Sequence, residues 1–259
     1  MSGFVRFRGA EAVRDLRTLL QRLQVAGCDA VWLLGRPGVV AFGGAVLAPA
    51  SLLDSVPTVL VFKGFEAGFV VGESSVFSVL AGAENSDFTG LEKAESAESS
   101  GSEEIPESAS FAALETPEFG GLNSVFELRA ITDRLAFLAG TENCDLVLPP
   151  QPTSVVWAGI TPPLSGWQVR GQISADSLRE VARQGAAQVA QILPENPGEL
   201  LLQKVRAEVW GQEMLPGVPA AAGFGLETAG FLAGNDAVRI SQAPGWLRLE
   251  SPAGSVLVR

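Results

Sequence analysis

The sequence predicts an α+β protein, with an N-terminal mixed α/β layer domain and a C-terminal unit of three helices followed by a small antiparallel meander. Three observations predict it. Short β-branched and aromatic runs bounded by Gly and Pro fill the first part. Stretches with apolar residues three and four apart follow. The last part has three strand-like runs separated by Pro-Gly and Ser-Pro-Ala-Gly turns.

In the first part, Phe4–Phe7 alternates as a strand does. Residues 10–26 read as a helix, because Val13, Leu16, Leu20 and Leu23 recur on one face and Gly27 is placed to cap it. Ala30–Leu34, Val39–Phe42 and Thr58–Phe62 read as strands, and Phe69–Val71 as the return strand of a hairpin through 63–68. A second strand–helix–strand unit echoes the first. Val125–Arg129, Ile131–Ala139 and Cys144-Asp145-Leu146-Val147 repeat the order of Phe4–Arg8, the first helix and Cys28-Asp29-Ala30-Val31. A helix over 124–139 competes, since Ser124 and Glu127 form a capping-box pattern.

Residues 82–118 interrupt this domain with a segment rich in Ser, Glu, Ala and Gly. Between 84 and 118 there are ten carboxylates against Lys93 alone, which accounts for most of the formal net charge of −11. Such a segment has too little apolar surface to offset its ordering entropy, so a disordered acidic insert is expected. The remaining parts are close to neutral. The expected boundaries are 1–150 for the α/β layer domain and 151–259 for the helical domain.

Past a Pro- and Gly-rich loop at 157–167, Ser177 and Glu180 form another capping box. Leu178, Val181, Ala182, Gly185, Ala186, Val189 and Leu193 make an apolar stripe. A second helix covers 199–213. Pro219 suits the first turn of a third, with Ala221, Phe224, Thr228 and Phe231 at helical spacing. The strands Ala237–Ser241, Trp246–Glu250 and Ser255–Arg259 end the chain.

Three helices and a β-hairpin give a winged-helix-like order. The chemistry argues against DNA readout, which needs Lys and Arg at phosphates and base edges. The third helix, 220–232, has no basic residue and carries Glu227.

Catalytic templates are absent. The chain has no His and no Tyr, no phosphate-binding glycine loop and no nucleophile elbow. Cys28 and Cys144 form no disulfide framework, and without His no zinc tetrad can be assembled. No catalytic, metal or cofactor residue is therefore assigned. Asp29 and Asp145, each following a cysteine, are the only carboxylates with a hint of symmetry. They read first as turn residues. The apolar run Gly38–Ala48 is too short to span a bilayer and holds three glycines, so a cytoplasmic protein with no membrane anchor is expected.

The loop holding Trp157, Pro162, Pro163 and Trp167 is the candidate partner-binding site. Rigid aromatics and prolines anchor interfaces, and they also plug seams between domains. The expected function is a non-catalytic protein-interaction or regulatory role. A small-molecule binder or enzyme using carboxylate, Ser or Cys chemistry is the alternative, and a winged-helix nucleic-acid binder a third.

The stretches Trp157-Ala-Gly-Ile-Thr-Pro-Pro, Ser165-Gly-Trp167, Arg206-Ala-Glu-Val-Trp-Gly211, Trp246-Leu-Arg-Leu and Val256-Leu-Val-Arg resemble an uncharacterised conserved family of actinobacterial proteins. The resemblance lies mainly over 150–259. It carries over no site and implies only a bacterial, cytoplasmic protein.

Overall fold

The computed structural model describes residues 3–50, 54–71, 122–138, 143–163, 165–234 and 236–259. The acidic insert expected at 82–118 lies outside the described residues. Within them the fold is α+β, with five α-helices and a mainly antiparallel ten-stranded sheet.

The elements run β1 (Gly3–Phe7), α1 (Ala10–Val25), β2 (Ala30–Arg36), β3 (Val39–Leu47), β4 (Val59–Val71), β5 (Asn123–Glu127), α2 (Leu128–Phe137) and β6 (Asp145–Val147). They continue with a single 3-10 turn at Val156–Gly159, then β7 (Gln168–Ser174), α3 (Ala175–Ile192) and α4 (Glu199–Gly211). A small hairpin, β8 (Glu213–Leu215) and β9 (Val218–Pro219), precedes α5 (Ala220–Ala229), and β10 (Ala237–Ala243), β11 (Trp246–Ser251) and β12 (Gly254–Val258) follow.

The sheet forks at β4. One edge of this 13-residue strand pairs with β3 along most of its length. On the other edge, Val59–Phe62 pairs with β12 and Ala67–Val71 pairs with β1. The hairpin expected through 63–68 is therefore a straight strand. Its glycines do not adopt positive φ: Gly64 is held extended by pairing with Ala41 of β3 and Gly68 by pairing with Arg6 of β1. The long arm reads β5-β2-β3-β4-β12-β11-β10-β7, and the short arm β4-β1-β6. Hydrogen bonding thus crosses the expected boundary at residue 150 through the β4–β12 ladder.

Strand–helix–strand does occur twice, and the two units interlock. The first strand of each pairs with the last strand of the other. Val5 lies opposite Leu146 and Phe7 N donates to Cys144 O; Phe126 lies opposite Val31 and Leu128 N donates to Asp29 O. Cys144 thus occupies the place of Asp29, so the Cys-Asp echo is offset by one residue. The competing capping box at Ser124 and Glu127 does not form, because these residues are strand.

Both faces of the sheet are buried at its centre, so β2 and β3 read as near-continuous apolar runs. The first face carries Val5, Phe7, Val31, Leu33, Phe42, Val61, Phe126 and Leu146 under the helices. Leu16, Leu20 and Leu23 of α1, Ile131 and Leu135 of α2, and Leu178 of α3 are all fully or almost fully buried there. α3 starts three residues earlier than the box at Ser177 and Glu180 predicts. Ser174 is its N-cap, accepting from Ser177 N at 3.2 Å, and Glu180 binds Arg183 and Gln184 instead.

α5 is not an outward recognition helix. Ala220, Ala221, Ala222, Gly223, Gly225, Leu226 and Ala229 are buried, and the helix contacts β3, β4 and β12. Its alanines and glycines let it approach the sheet. It ends at Gly230, whose left-handed φ of 71° starts the turn that the expected continuation to 232 would have lacked.

Candidate interaction site

The second face of the sheet carries Ala30, Trp32, Ala41, Ala45, Leu60, Phe62, Val125, Trp246 and Leu257. Residues 152–163 and 165–167 cover it as a strap. Thr153 N donates to Val125 O at 2.7 Å and ties the strap to the edge strand β5. The small side chains on β2 and β3 leave room beneath, and Phe62 lies over Gly43, where a Cβ would collide with its ring.

Trp157 is half-buried on this face, its ring 6.3 Å from that of Trp32. Trp32 is fixed in turn by Phe62, at 5.9 Å, and by donation from its Nε1 to Asn123 Oδ1 at 2.7 Å. Trp167 is also half-buried, donating from Nε1 to Pro163 O at 3.0 Å with its ring 4.6 Å from Arg248 Cζ. Pro162 is buried and Pro163 half-buried. The structure thus brings Trp157 and Trp167 to one face of one sheet, with Pro163 joined to Trp167 through its carbonyl.

The strap exposes two large aliphatic side chains among polar ones: Val156 is 91% exposed and Ile160 47%, and Val169 in the adjoining β7 is 66% exposed. Sequence reasoning passed over them, although Val155-Val156-Trp157 alternates inward, outward, inward. It also passed over Arg248. That residue alternates with Trp246 on β11 and so faces the second side, where it is 5% exposed. Burial pulls its guanidinium below the ordinary arginine range; Glu250 opposes the shift and Arg239 adds to it.

The carboxylate and thiol chemistry weighed from sequence is dispersed. Asp145 is clamped by Arg6, with Nε to Oδ1 and Nη2 to Oδ2 both at 2.8 Å, which holds its carboxyl below the usual range. Asp29 adjoins the β2–β5 ladder, with β3 and β4 between it and Asp145. Cys28 donates to Ala30 O at 3.0 Å, and burial pushes its thiol pKa up, away from a reactive thiolate. Two grooves flank α1. One of about 280 Å³ runs beside α2, and one of about 620 Å³ runs beside α5; among the described residues neither is lined by Asp, Glu or Cys. No group of three or more potential metal ligands exists among the described residues.

Several arginines are engaged within the fold. Arg17 donates to Leu135 O at 3.1 Å and Arg22 to Ala229 O at 2.7 Å, capping α2 and α5 at the ends where a cation is favoured. Arg179 donates to Leu232 O and Gly234 O. These cations serve carbonyls within the fold. No described helix is long and apolar enough to cross a membrane.

No curated protein and no solved structure matches the chain. Residues 162–259, from Pro162 in the strap to the last strand, are similar to a family described as a domain of unknown function (DUF8185).

Proposed function

We propose that this is a non-catalytic protein-interaction or regulatory protein of the bacterial cytoplasm, which binds a protein partner through the outer side of its strap. One observation carries the proposal. The strap is two-sided: Trp157 and Trp167 pack against the sheet, while Val156 and Ile160 face solvent, with Val169 of the adjoining β7 exposed beside them. Exposed aliphatics held on a rigid aromatic base have little ordering entropy to lose on binding. Beside them, β7 ends the long arm of the sheet, so its outer backbone groups can pair with an added strand of a partner. The dispersed carboxylates and the protonated Cys28 thiol favour this role over an enzyme.

The test is affinity purification of partners with the intact chain. Val156→Asp and Val169→Asp should fold as the parent does and lose the partner. Partners retained in both variants would sink the site.

A further inference from the structure

A guanidinium carries five N–H donors in one plane and is always charged. In Arg248, Nη2 lies 3.3 Å from Glu250 Oε2, while Nε and Nη1 are buried and have no partner. The Trp167 ring covers the guanidinium and attracts it through the ring face. That contact leaves the in-plane N–H groups unsatisfied. Glu250 does not balance the charge either, because its Oε2 also receives Arg239 Nε at 3.2 Å. Two guanidiniums share one carboxylate, so the cluster keeps a net positive charge beneath an aromatic cover. Arg239 stands at its rim with its side chain 46% exposed, and Ser241, opposite Arg248 in the ladder, is 1% exposed.

Two orphaned donors and an uncompensated charge, both buried, define what would complete the site: a group that only accepts hydrogen bonds and is negative. We infer that Arg248, with Arg239 and Trp167, forms a receptor for a small oxyanion, a phosphate or carboxylate group, which accepts from an unpartnered N–H of Arg248. The inference needs no protein partner, since Val156 and Val169 take no part in it.

The probes are inorganic phosphate and acetate, titrated into the full chain at constant ionic strength. Thermal unfolding and tryptophan fluorescence are the readouts. The preferred anion should raise the melting temperature saturably, by about 3 °C at ten times its dissociation constant. Phosphate acting alone marks a phosphoryl site, and acetate acting alone or more strongly marks a carboxylate site. Arg248→Met should fold, because an apolar side chain of similar length replaces a buried cation, and should lose the response. Arg248→Lys keeps the charge without the fork and should weaken binding about tenfold. Val156→Asp should respond as the parent does, which separates this site from the partner surface. No saturable shift with either anion in the parent would overturn the inference, as would an equal shift in Arg248→Met or, should that variant not fold, in Arg248→Lys.

Discussion

The Asp145 carboxylate and the Arg6 guanidinium meet through two parallel hydrogen bonds across the β1–β6 ladder. The pair keeps the carboxyl below its usual pKa. A depressed pKa adds stability that is fully present above the unfolded value, near pH 4, and is lost as pH falls through the folded value. Arg6 is 62% exposed, so solvent screens the pair. Asp145→Asn should cost only about 0.5–1 kcal/mol at pH 7. It should also flatten the fall in stability between about pH 5 and pH 2, as urea titrations at several pH values would measure. An unchanged acid limb would show that the pair contributes nothing. The sequence marks Asp145 as the twin of Asp29, but it cannot show the one-residue offset that gives them different surroundings. That offset is fixed by cross-strand register, which leaves no local trace. Arg248 is half-legible: the alternation of β11 places it beside Trp246, yet its meaning depends on whether that face is covered.

At the scale of elements, helices carried the clearest signal. The 3.6-residue period marks α1, α3 and α4 within three residues, because each buries one face only. β4 was misread because its glycines resemble turn residues, whereas both of its edges are bonded to other strands. The end of α5 joins three features: the left-handed Gly230, the Ala229 carbonyl and Arg22 reaching across from α1. Gly230→Ala forces a side chain into a left-handed backbone and into the Arg22 guanidinium, and should cost about 1–2 kcal/mol. Arg22→Ala should cost about 1 kcal/mol through the lost cap. The double variant should lose less than the sum of the two, since one contact is removed twice. Strict additivity in chemical denaturation would show that the arginine and the glycine act independently. In the strap, Trp157→Ala should cost about 2 kcal/mol, a half-buried ring's share of the usual aromatic loss. Val156→Asp should cost little, since Val156 touches mainly solvent.

For the whole molecule, the composition and the final turns made the α+β class readable, and Trp157 and Trp167 do share one face. What local sequence could not reveal is that β4 serves both parts of the chain at once. Residues 162–259 include β12, which pairs with β4 outside that span. The described parts should therefore unfold together. Far-ultraviolet circular dichroism and tryptophan fluorescence, which reports Trp32 on one side of β4 and Trp246 beyond β12, should give coincident melting curves. Two separated transitions would mean that the β4–β12 ladder does not couple them.

The fork in the sheet also bears on how quickly the protein is made. Val61 bonds beside Val256, a partner that lies most of the chain's length away. Until that partner is available, the first half of β4 presents open backbone groups flanked by Leu60 and Phe62. Closing so distant a pairing is slow, because the loop entropy is lost before the contacts repay it. The newly emerging chain consequently carries a sticky, half-finished edge for most of its synthesis, and refolding at high concentration should divert material into aggregates at that edge.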